Sequence, residues 1–170
     1  MTVSLLVRNL SDYLRDVLAT YHTAQGAQAG QLDGMYKQVN VFEWYVPLPD
    51  QKRRESDYPF VEVRPYQGKR TGIERHTLVE LTFGVFGRAE EEPDGTKNMS
   101  PGAYALMNLM EYVEIELFRQ PVIGGRFRIR PDYEWTIPEE QPYPYYLGTA
   151  VTAWDLPNII NEKGAIQAYG

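Results

Sequence analysis

Apolar positions recur at helical spacing at the start of this chain. Leu6, Leu10, Leu14, Val17, Leu18 and Tyr21 form the stripe, with Arg8, Asp12, Arg15 and Asp16 largely between them. That pattern predicts an amphipathic helix over residues 4–21, with Ser4 placed to cap it. Residues 22–34 are rich in Gly, Gln and Ala, have little to bury, and read as a loop. The period then changes to two. In residues 37–46, Val39, Val41, Glu43 and Tyr45 share one side of a predicted strand, and Asn40, Phe42, Trp44 and Val46 share the other. A break with three prolines, carrying Lys52, Arg53 and Arg54, precedes a second strand over about residues 60–66.

The cleanest alternation is the third strand, residues 76–86. Val79, Leu81, Phe83 and Val85 point one way, and Leu78, Glu80, Thr82 and Gly84 the other. Such a strand belongs to a sheet with one apolar and one partly polar face. The next segment carries Glu90, Glu91, Glu92 and Asp94, whose mutual repulsion predicts a solvated, extended loop. Ser100 followed by Pro101 marks a helix start. That helix runs to about residue 118, with Leu106, Leu109, Met110, Val113 and Leu117 on its apolar face and Asn108, Glu111, Tyr112 and Glu116 mainly away from it. Pro121 and Gly124-Gly125 end this unit. Residues 126–137 read as a fourth strand, or as a bent pair broken at Pro131, and residues 147–156 as the last.

The expected order is therefore α-β-β-β-α-β-β. Strands and helices do not alternate regularly, which argues against a doubly wound parallel sheet. The expected fold is α+β: a mostly antiparallel or mixed sheet of about five strands with two helices packed on one face. Residues 1–156 form one domain on this reading. Residues 157–170 form a tail ordered only in an assembly.

Composition narrows the function classes. At 170 residues the chain is long enough to bury a core without metal or disulfide, and it has no cysteine, which excludes thiolate chemistry. A net charge of −6 disfavours generic nucleic-acid binding, which phosphate neutralisation drives. No run approaches the roughly 18 apolar residues of a membrane span, and the N-terminus lacks a signal-peptide layout. Thirteen tyrosines are more than usual, and Tyr143, Tyr145 and Tyr146 read either as interface or as core residues with hydroxyls at its rim.

Candidate chemistry is sparse. Glu62 and Arg64 on the second strand, Glu80 and Thr82 on the third, and Arg126, Arg128 and Arg130 on the fourth form the sharpest polar constellation. It reads either as a solvated salt ladder or as a face that meets another subunit or lines a central hole. Glu74 and His76 have the spacing of two metal ligands, but His22 is the only other histidine and no further ligand is evident. Carboxylates at 111, 114 and 116 read as a wet helix face. No nucleophile elbow, catalytic triad or phosphate-binding glycine loop is present. No catalytic, cofactor or metal residue is assigned. A small enzyme using Glu74, His76 and the Arg126/Arg128/Arg130 region stays open as an alternative of a different class.

Three segments carry a family resemblance: YPFVEVRPYQG with its following basic loop, the strand HTLVELTFGVFGR, and the helix SPGAYALMNLMEYVEIELFR, closed by YYLGTAVTAWDLP. Over roughly residues 3–156 this layout resembles the tail terminator proteins of long-tailed bacteriophages, with a related neck or tail-completion protein of similar fold as the neighbouring alternative. The resemblance implies a non-enzymatic virion protein without cofactor. It implies a homo-oligomeric ring, hexameric in that family, at the head-proximal end of the tail, assembled in the host cytoplasm. The ring stops tail-tube polymerisation and docks the head connector, while DNA passes through without specific binding. An acidic chain suits such a passage. On this reading the subunit interface draws on Arg64, Lys69, Arg70, Arg126 and Arg128. The acidic segment at Glu90, Glu91, Glu92 and Asp94 contacts another virion protein.

Overall fold

A computed structural model of the chain describes residues 2–21, 38–46, 55–72 and 74–157. Helix α1 spans Thr2–Leu18 and helix α2 spans Ser100–Arg119. The strands are β1 (Asn40–Glu43), β2 (Phe60–Arg70), β3 (Arg75–Phe86), β4 (Glu90–Glu91), β5 (Lys97–Asn98), β6 (Val122–Ile123), β7 (Phe127–Thr136) and β8 (Tyr145–Asp155). Six of them form one mixed sheet in the order β1-β2-β3-β8-β7-β6, and β4 and β5 pair as a separate small hairpin. The α+β expectation holds, with six strands in the main sheet rather than five. Only β1 and β2 pair in parallel; the other neighbours are antiparallel.

Both helices cover the same face. Val61 and Val63 of β2, Val79, Leu81, Phe83 and Val85 of β3, and Ala150 and Trp154 of β8 are buried in one cluster with Leu6, Leu10 and Leu14 of α1 and Leu106, Leu109 and Val113 of α2. This is the alternation of β3 read from sequence, completed by the even-numbered residues of β8. Two tyrosines tie the helices to each other. Tyr13 donates to the carbonyl of Glu116 at 2.6 Å, and Tyr112 donates to that of Val17 at 3.1 Å. Gly102 lets the first turn of α2 lie on the Tyr146 ring, because a Cβ there would sit 2.2 Å from it. The Tyr146 hydroxyl fastens the contact by donating to the carbonyl of Met99 at 2.9 Å.

Several local expectations are corrected. Helix α1 begins at Thr2, so Ser4 lies inside it, exposed, and does not cap it. Helix α2 begins at Ser100 with Met99 as its N-cap, so Ser100 lies inside the helix and does not cap it; the Ser100 N–H donates to Asn98 Oδ1 at 3.0 Å. Glu116 is buried, not on the wet side, and is neutralised by Arg119 one turn on. Pro131 does not divide β7: the strand runs through it on an irregular register between Ile129 and Tyr133. The acidic segment is folded rather than extended. Glu92 and Gly95 close its turn, Gly95 at φ +82°, and Asp94 accepts from both the N–H and the hydroxyl of Thr96 at 2.9 and 2.6 Å. The basic triplet at 52–54, His22, the loop at 22–34 and the tail at 158–170 lie outside the described residues.

The second face of the sheet is not uniformly polar. At one end the Phe60 ring lies against Gly84, its register partner, where a Cβ would fall 2.2 Å from the ring. Tyr58, Phe60 and Phe86 are buried there, with Phe42, Val46, Tyr145 and Leu147 packed against them. This aromatic end is a second, smaller core built by β1, β2, β3 and β8. The rest of that face stays open.

Candidate functional site

The open part of the second face is built from the outward residues of β2, β3, β8 and β7. Arg64 and Glu80 are register partners and pair at 2.5 Å, so the predicted cross-strand charge ladder exists at this step. The bond to Glu80, and then the charge of Glu80, raises the Arg64 pKa, so this guanidinium is firmly cationic. Glu62 serves the fold differently, accepting the N–H of Val46 at 3.3 Å.

The arginines of β7 do not join that ladder. Strand β8 lies between β3 and β7, so Arg130 meets Asp155 at 2.7 Å and Glu74 at 3.3 Å. The insertion of the last strand into the middle of the sheet separates groups that sequence order had placed side by side. Arg126, in the turn before β7, and Arg128 are exposed and form no ion pair among the described residues. Lys69 and Arg70 end β2, are exposed, and are likewise unpaired among the described residues. Of the five interface candidates, Arg64 is thus committed within the chain, and Lys69, Arg70, Arg126 and Arg128 remain available to another molecule. Glu90, Glu91, Glu92 and Asp94 are all exposed on the β4–β5 hairpin.

The structure does bring His76 and Arg130 together. They border a shallow hollow of about 300 Å³ on the open face, with Tyr66, Asp132 and Glu134 at its rim and Leu78, Val151 and Ala153 as its floor. The Nδ1 atom of His76 is shut off from solvent and has no hydrogen-bond partner among the described residues. Glu74 turns to Arg130 and not to His76, and Arg130 is held by two carboxylates. No group of three His, Asp or Glu side chains suited to a metal ion occurs among the described residues. The hollow is open to solvent and can receive a side chain or a small polar group.

Sequence reasoning missed a second surface, on the helix side. Helix α2 buries Leu106, Leu109, Met110, Val113 and Leu117, yet it also exposes Tyr104, Met107, Ile115 and Phe118. These recur at i, i+3, i+11 and i+14, which gives the helix a second apolar stripe. Trp135 of β7, 52% exposed, lies on the same flank, and Phe118 packs edge-on against Tyr133 with ring centroids 6.0 Å apart. The signal was present in the helix sequence, which is apolar on more than one side. Of the tyrosine cluster, Tyr146 is core, Tyr145 stacks on Tyr58 at 4.6 Å, and Tyr143 is exposed.

Beyond Arg64 on β2 and beyond Ile129 on β7, the outer edge of the sheet has no strand partner among the described residues, because β1 and β6 are short. Exposed edges of this kind invite pairing or covering by another chain. No helix among the described residues is long and apolar enough to cross a membrane. Comparison with models of known protein families and with curated proteins finds no match to this chain.

Proposed function

We propose that this chain is a structural, ring-forming tail terminator of a long-tailed bacteriophage. It caps the tail tube at the head-proximal end, stops tube growth and offers a docking surface to the head connector. The observation that carries the reading is the one-sided architecture. Two helices cover one face, while both flanks of the sheet keep stretches of β2 and β7 without an outer strand among the described residues. A subunit with unlike free flanks on its two sides suits a head-to-tail contact, and a head-to-tail contact closes into a ring when its rotation permits. The polar groups support the same reading. Arg64 and Arg130 are occupied by ion pairs that hold strands together, which is structural use of charge. The segment resemblance over residues 3–156 supplies the identity of the ring. The acidic hairpin is the proposed contact with a neighbouring virion protein.

Tails assembled in the absence of this chain test the proposal. Electron micrographs are expected to show tubes of variable, overgrown length. Tubes of normal and fixed length would refute it, and overgrowth is the result that separates a terminator from a neck protein acting after tube growth has stopped.

A further inference from the structure

The outward flank of α2 meets the outer part of β7 in a groove of about 260 Å³. Met107, Met110, Tyr133 and Trp135 give it apolar walls, and Glu111 and Glu114 give it charge. Neither glutamate enters an ion pair among the described residues. The Tyr133 hydroxyl is closed off from solvent and has no hydrogen-bond partner among the described residues. Burial, and then the negative charge of Glu114, raises its pKa, so it remains a neutral hydroxyl able to donate or accept. An apolar trough with carboxylates at its lip fits a long aliphatic stem that ends in a cation. The stem covers Met107 and Trp135, and the charged head reaches the acids or stacks on the indole.

The chain carries such groups on its far flank. Lys69 and Arg70 end β2, exposed and unpaired among the described residues. Arg15, Arg64, Arg119 and Arg130 are already engaged within the chain, and Arg126 and Arg128, also exposed and unpaired among the described residues, sit at the start of β7, on the groove's own flank. Strands β2 and β7 stand on either side of the β3–β8 pair, three steps apart in the sheet, or ~14 Å at the usual strand spacing. The groove opens on the helix side beyond β7, so the end of β2 cannot reach the groove of its own subunit. The end of β2 on another copy can. Donor and acceptor are different patches, so the contact is heterologous and repeats from copy to copy.

We propose that Lys69 and Arg70 of one copy dock into the α2–β7 groove of the next, against Glu111 and Glu114. This inference rests on the ring-forming reading and names the contact that joins neighbouring subunits. Light-scattering mass over a concentration series tests it with three chains: wild type, K69E/R70E, and E111K/E114K. Wild type is expected as a discrete oligomer. Each reversed chain is expected to be folded by circular dichroism and monomeric, near 19.6 kDa. An equimolar mixture of the two is expected to assemble again, because each reversed tip then finds a reversed groove. If a reversed chain does not fold, K69A/R70A and E111Q/E114Q replace it, with association expected to weaken about tenfold or more. Where wild type assembles only on tail tubes, the same chains are scored by ring occupancy of tube ends.

Oligomers that survive both reversals would overturn the contact and leave the ring reading standing, with the groove then assigned to a different chain. Loss of assembly without recovery in the mixture would overturn the pairing of these two patches. A wild-type chain that is monomeric in solution and absent from tube ends would overturn both readings.

Discussion

Thr152 shows how a single buried polar group is made to serve the core. It is fully buried on β8, donates to the carbonyl of Val79 at 3.0 Å, and accepts from Trp154 Nε1 at 2.8 Å. The indole N–H of a fully buried tryptophan therefore depends on this one hydroxyl. Thr152→Val keeps the shape but strands the indole donor, which costs about 1–3 kcal/mol. Denaturant unfolding is expected to show an unchanged slope and a midpoint lowered by that free energy divided by the slope. An unaltered midpoint would mean that the indole finds another acceptor. Gly84 is the opposite case, where absence of a side chain makes the structure. Its hydrogen faces the Phe60 ring, and the second aromatic core is built on that contact.

At the scale of elements, the β4–β5 hairpin is held by its turn. The Thr96 hydroxyl and then its N–H bond the Asp94 carboxylate and hold its pKa below the ordinary aspartate value. The carboxylate is the form that accepts both bonds, so the turn is fully supported above the ordinary value. Support is lost as pH falls through the depressed folded value. NMR titration is expected to place the Asp94 midpoint below 3.8, with Thr96 amide shifts following it. A midpoint at or above 3.8 would show that the turn is not held this way. The same hairpin marks where sequence reading stopped short. Four acids in five residues argued for an extended loop, yet Asp94-Gly95 is also a turn signal, and locally the turn chemistry wins over mutual repulsion between exposed groups. By contrast, the core faces of α1, β3 and α2 were legible, because burial on one side imposes a period that a sequence carries directly. The placement of β8 between β3 and β7 was not. Strand order is set by pairings between residues some 70 positions apart, such as Leu81 with Ala150, and no local pattern encodes it. That is why Arg130, read only as part of a polar face shared with strands two and three, is found paired with Asp155 of β8. The α2–β7 groove was hidden for the same reason: Met107 and Trp135 become neighbours only after the sheet is assembled.

At the scale of the molecule, the account rests on asymmetry. One face of the sheet is covered by helices, and one end of the other face is covered by aromatic side chains; among the described residues the flanks keep exposed strand edges, unpaired cations and an acidic apolar groove. Polar groups are spent on holding strands, and the remaining ones are spread over surfaces suited to other protein molecules. Such a distribution suits assembly with other copies, which is what the ring proposal calls for. The most direct measurement is an image of tail tubes mixed with the purified chain, with subunits counted in averaged end views. The account predicts a single closed ring at one end of each tube, six copies of the 19.6 kDa chain around an open hole. Bare tube ends, or copies scattered along the tube wall, would contradict it.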